Sequence, residues 1–152
     1  MGAAYFYHLT RRPLEVALAE LLEAARKRDM RVAVRGQAAE RLAWLDEKLW
    51  LMPEDGFLPH GLAGGAHDAD QPILLTTGPA ANGATCVMSV DGAEVSADEV
   101  GTLDRVCVLF DGNDPAALDV ARGQWKTLTG AGAAAQYWSE ESGKWEKKAE
   151  SG

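Results

Sequence analysis

Apolar residues fall along the chain in two rhythms that alternate. An aromatic-rich run, AAYFYHL at residues 3–9, predicts a buried first strand. TRRP breaks it, and Pro13 suits the first turn of a helix. Leu14, Leu18, Leu21, Leu22 and Ala25 then recur at helical spacing, while Glu15, Glu23, Arg26 and Lys27 fall mostly elsewhere, so an amphipathic helix is predicted over 13–28. MRVAVRG reads as a second strand closed by Gly36. Ala38, Leu42, Leu45 and Leu49 stripe a second helix over 37–50. Strand, helix, strand, helix in close succession predicts an α/β fold with a mostly parallel central sheet and right-handed crossovers.

The middle is less regular. PILLTTG (72–78) and ATCVMSV (84–90) read as short strands, with GPAANG turning between them. Ser96 with Glu99 three residues on predicts a capping box and a short helix. DRVCVLF (104–110) reads as a buried strand. DGNDP then leads into a last helix over about 115–130, capped by Asn113 or Asp114 with Pro115 in its first turn. AAAQYWSEESGKWEKKA reads as a final strand, with a hairpin through SG, and a frayed tail over 147–152. Residues 1–146 form one domain in this reading, without repeat or linker.

Composition narrows the classes. The 152-residue chain is 47% apolar and 25% charged, ordinary values for a globular domain with a proper core. No apolar run approaches the roughly 20 residues that cross a bilayer. MGAAYF suits neither a signal peptide nor myristoylation, so the expected location is the cytoplasm. The net charge of −8 argues against broad nucleic-acid binding, which depends on neutralising phosphates. Partners are expected at a patch, not through the overall field. Cys86 and Cys107 lie in strand-like runs and read as buried small hydrophobes.

Motifs for chemistry are few. VAVRGQAAE has the strand–glycine–helix order of a dinucleotide fold but a single glycine where GxGxxG is required. GxxxxGK[ST] is absent. FLPHGLAGG, residues 57–65, has the flexibility of a phosphate cradle but no lysine. The following His67, Asp68 and Asp70 are better read as a solvated acidic loop than as a cation site, and no metal or other cofactor is expected. His60, beside Pro59, reads as a structural histidine bonded to backbone. Among five tryptophans, Trp44 and Trp50 stand outside or at the end of the second helix's leucine stripe. Aromatic rings and arginines are the usual anchors of protein interfaces. In the last helix, ALDVARGQWKTL buries Leu118, Ala121, Trp125 and Leu128. Arg122 and Lys126, four residues apart, border that stripe and set two cations beside an apolar surface of an acidic protein.

The ordered set LDEKLW, FLPHGLAG and VARGQWK, together with FYHL, PILLT, LFDGND and GKWEKKA, resembles the chi subunit family of bacterial DNA polymerase III nearly end to end. The resemblance implies a three-layer Rossmann-like fold without nucleotide chemistry. It also implies a non-catalytic accessory subunit of the clamp-loader assembly. Chi-like proteins bind the acidic, Pro-Phe-ended C-terminal tail of single-stranded DNA-binding protein and pair with a psi subunit. By family position, Trp50, Arg122, Trp125 and Lys126 form the tail site. Phe57, Pro59 and His60 form part of the surface for psi or another clamp-loader component. Gly123 in mid-helix and Trp125, where a smaller aromatic is common, depart from the family pattern. Two rival readings stay open on the residues alone. One is a small nucleotide-binding enzyme on the same scaffold. The other is a single-strand DNA binder stacking bases on the tryptophans, which the acidic charge disfavours.

Overall fold

The computed structural model describes residues 2–51, 60–65, 68–78 and 81–151. Its strands are β1 (Ala3–Leu9), β2 (Val32–Arg35), β3 (Gly61–Leu62), β4 (Ile73–Thr76), β5 (Cys86–Ser89), β6 (Arg105–Asp111), β7 (Ala135–Ser139) and β8 (Glu146–Ser151). The helices are α1 (Leu14–Lys27), α2 (Ala39–Leu51), α3 (Ala97–Thr102) and α4 (Pro115–Gly130). All strands join one sheet in the order β3-β4-β2-β5-β6-β1-β7-β8. Every pairing is parallel except β7 with β8. The predicted three-layer α/β architecture is the observed one.

Alternation along the strands sorts the layers. Tyr7 and Leu9 of β1 pack with Leu18 and Leu22 of α1 and Leu42, Leu45 and Leu49 of α2. Ala4 and Phe6, pointing the other way, pack with Val100 of α3 and Ala121 and Leu128 of α4. The sheet therefore separates α1 and α2 from α3 and α4. Buried on both faces, the central strands need no polar side, which is why VCVLF and ILL are continuous apolar runs.

Local chemistry sets the ends of the helices. Ser96 accepts from the Glu99 amide at 3.1 Å while Glu99 reaches back to the Ser96 amide at 3.1 Å, the predicted capping box. Asp114, not Asn113, caps α4 by accepting from the Ala116 amide at 3.0 Å. Asn113 instead donates from its side-chain amide to the Thr10 carbonyl, tying the β6–α4 turn to the end of β1. The expected frayed tail is mostly strand: β8 adds Glu146–Ser151 antiparallel to β7, with exposed charges of both signs that keep the sheet edge polar. β3 spans only two residues, too short for any periodicity to mark it in the sequence.

Candidate functional site

The loop that leaves β1 is where a Rossmann-like fold seats a phosphate on backbone amides. Here the amides of Thr10, Arg11 and Arg12 all donate to one oxygen of Glu140, at 3.0, 3.1 and 3.1 Å. The Arg12 guanidinium holds the other oxygen at 3.2 Å, and the Glu140 side chain is 1% exposed. Burial alone would raise the Glu140 pKa, but the three amides and Arg12 outweigh it and hold the carboxyl below its ordinary value. The chain thus fills its own anion seat with a carboxylate from the end of β7.

A second constellation lies on the flank of α4 that faces β7. Trp125 sits edge-on to Phe6 (5.3 Å between ring centroids) and to Tyr137 (6.0 Å). The Tyr137 hydroxyl is hydrogen-bonded to His8 Nδ1 at 3.0 Å, and the His8 ring stacks on Phe110 at 5.3 Å. A Cβ on Gly112 would overlap the His8 ring, so the turn after β6 requires glycine for this bank to close. Burial pushes the Tyr137 phenol up, against the pull of the nearby Arg122 charge. Arg122 and Lys126 are exposed, one turn apart on α4. The flank offers cations beside a bank of half-buried rings.

Trp50 is not part of it. It stands near the end of α2, across the sheet from α4, half exposed, with its ring 4.1 Å from that of His60. The four residues expected to share one pocket are therefore three on α4 and one on the opposite layer. Spacing placed Trp50 beside the leucine stripe correctly but could not say which face of the sheet α2 covers. His60 is buried, with Nε2 3.2 Å from the Asp46 carbonyl and 3.3 Å from its carboxylate. That matches its reading as a structural histidine, made through Asp46 on α2. Leu51 and Leu62 are exposed near the same end. Phe57 and Pro59 lie outside the described residues.

The remaining candidates resolve into structure. Asp68 accepts from the Gly64 and Gly65 amides at 2.9 and 3.0 Å, so the glycines of GLAGG wrap a carboxylate of this chain. Among the described residues no group of three His, Cys, Asp or Glu side chains is placed to hold a metal ion. Cys86 and Cys107 are buried free thiols, and Cys107 is pushed well up by its bond to Cys86 and by burial. Trp44 lies under Arg41 (4.5 Å) and Lys48 (5.5 Å), a cation–π stack along α2. Sequence reasoning missed Glu140 and Tyr137; SEES reads as a turn, and nothing local marks its first glutamate as buried.

These features define a Rossmann-like α/β protein whose phosphate seat is closed by its own glutamate and whose cations line a helix flank. Residues 1–136 match the family model described as DNA polymerase III chi subunit, HolC, and the chain belongs to that family. It is thereby related to a component of DNA polymerase III with an accessory role in DNA replication. No curated protein matches the chain significantly. No helix among the described residues is long and apolar enough to cross a membrane.

Proposed function

We propose that this chain is a non-catalytic adaptor of the polymerase III holoenzyme. In this reading it links the clamp loader to single-stranded DNA-binding protein by taking that protein's acidic, Pro-Phe-ended tail. The observation that carries this is Arg122, exposed on α4 and close enough to Tyr137 to act on its phenol, beside the Trp125–Tyr137–His8 bank. An anionic chain end with a terminal ring needs a cation and an apolar surface side by side. Arg122 can fork onto the carboxylate and Lys126 adds a point charge. Burying the terminal phenylalanine contributes about 1.5–3 kcal/mol, and each charge-assisted bond about 1.5–3 kcal/mol. After association costs, a salt-sensitive complex near the micromolar range, about −8 kcal/mol, is expected.

Trp50 belongs, in this reading, to the second surface instead of the first. With Leu51 and Leu62, over buried His60, it offers an apolar patch for psi or another clamp-loader component, the surface to which the family resemblance assigns Phe57 and Pro59. The nucleotide-enzyme alternative is disfavoured by Glu140, which engages the amides a phosphate would need. Calorimetric titration with the tail peptide, with and without its last phenylalanine, tests the proposal. Micromolar binding lost on deleting the ring supports it; equal affinity for both peptides rules out the ring-and-cation site.

A further inference from the structure

The Tyr137 hydroxyl is the polar atom of the ring bank beside Trp125, and its bonding decides what the bank can hold. β1 and β7 run parallel, with Phe6 opposite Tyr137 and His8 opposite Ser139. Ala4, Phe6 and His8 alternate onto the sheet face that α4 covers. His8 Nδ1 lies 3.0 Å from the Tyr137 oxygen, in a bond that is only partly buried. The opposite edge of the imidazole is closed. The ring stacks on Phe110 at 5.3 Å and 17°. The Gly112 position lies against Cδ2 and Nε2, where any Cβ would overlap them. Nε2 is cut off from solvent and has no hydrogen-bond partner among the described residues.

That closed edge sets the direction of the Tyr137 bond. A neutral imidazole carries one N–H, on either nitrogen, and the other nitrogen accepts. A proton on Nε2 would be a buried donor with nothing to receive it, whereas a proton on Nδ1 is taken by the phenol oxygen. A bare Nε2 lone pair is the lesser loss, as it is for backbone groups, where orphaned buried N–H donors are the rarer defect. The hydrogen bond made at one ring nitrogen thus fixes the tautomer. His8 donates and Tyr137 accepts. The phenol's own hydrogen turns away from His8, and no other group among the described residues takes it. Burial pushes the phenol up, Arg122 pulls it down and Glu141 pushes it up again, so charges of both signs reach the hydroxyl. It stays protonated at neutral pH, a donor standing between Arg122 and Glu141. Glu141 repels a carboxylate on its own side, which leaves the Arg122 side to receive one.

We propose that Tyr137 is a specificity-determining residue of this flank and that His8 is its positioning residue. The Tyr137 hydroxyl donates to a free terminal carboxylate beside Arg122, and His8 holds the phenol as the donor. This role rests on the tail-binding reading and adds what is recognised, the chain end itself next to its ring. A carboxylate only accepts, whereas an amidated end presents donors as well. The flank therefore tells a free end from a blocked one.

Calorimetric titration of the parent chain and of Tyr137→Phe with the acidic Pro-Phe peptide, as free acid and as C-terminal amide, tests the role. Tyr137→Phe keeps the ring and removes only the hydroxyl. It should weaken the free acid about fivefold or more, as loss of a charge-assisted bond does, and leave the amide within about twofold. Equal losses for the two peptides, or none for the free acid, overturn the role while the tail-binding reading stands. No binding of either peptide to the parent chain overturns both. Nitrogen NMR of the histidine rings at about pH 8, above the ordinary histidine pKa of about 6.5, reads His8 directly. Nδ1 should carry the proton and Nε2 should be bare. The Nδ1 proton should shift on saturation with the free acid and not with the amide, because a hydroxyl that donates to an anion accepts more strongly. A proton on Nε2, or an Nδ1 resonance indifferent to the free acid, contradicts the part given to His8.

Discussion

The end of α2 and the outer flank of α4 each set a tryptophan at the margin of a buried stripe. In the sequence they look interchangeable. In the structure Trp125 leans edge-on into Phe6 and Tyr137 and joins the α4 layer's core, whereas Trp50 stays half exposed over His60 on the opposite layer. The first has a rigid ring wall with exposed Arg122 beside it. The second has neighbouring exposed aliphatics, Leu51 and Leu62. One flank suits a short anionic chain end; the other suits a broader apolar partner. The difference comes from crossover direction, since the chain moves one way along the sheet from β1 through β2 to β4, with α2 following β2, and the other way from β6 through α4 to β7, so helices of similar pattern land on opposite faces. On the proposed reading, surfaces on opposite sides of one sheet would let an adaptor hold two partners at once.

If both surfaces rest on one scaffold, damage to the scaffold should exceed damage to either surface. Glu140→Ala leaves three amides and Arg12 without their buried acceptor, and should cost about 3 kcal/mol. Melting by calorimetry should fall by several degrees; an unchanged midpoint would mean that Glu140 does not moor the β1–α1 loop. A milder version works through pH. The folded pKa of Glu140 is depressed, so its stabilisation is complete above the ordinary carboxylate pKa, about 4.3, and is lost as pH falls through the folded value. Glu140→Gln should therefore lose less stability than the parent chain on acidification below about pH 4.3. Equal slopes in denaturant titrations across that window would remove the argument, with Glu99, also depressed by its bond to Arg35, common to both proteins.

At the surfaces the effects should be smaller and separable. Arg122→Ala should weaken the acidic Pro-Phe peptide at least tenfold, about 1.4 kcal/mol, with little change in melting temperature. Phe57→Ala and Trp50→Ala should leave the peptide within twofold while weakening a clamp-loader partner in pull-down or calorimetry. Peptide loss in Trp50→Ala would join the two surfaces that the sheet holds apart.

The elements were legible where periodicity is strong. Leu18, Leu22, Leu42, Leu45 and Leu49 announce their helices, and Ser96 with Glu99 announces its cap, because each signal is confined to a few neighbouring residues. Asp114 against Asn113 was open, since both side chains can cap and only the turn decides. Glu140 was invisible because its partners are about 130 residues away in the chain and its neighbours read as a polar turn. Arg122, Trp125 and Lys126 were legible as a group through one helical face. Joining Trp50 to them required knowing on which side of the sheet α2 packs, and spacing carries no such information.

The most direct measurement is amide chemical-shift mapping of the isotopically labelled chain during titration with the acidic Pro-Phe peptide. The account predicts shifts concentrated on α4 around Arg122–Lys126 and on Tyr137 and His8, with Trp50 and His60 unmoved. Shifts centred on Trp50 and His60, or none on α4 at saturation, would contradict it.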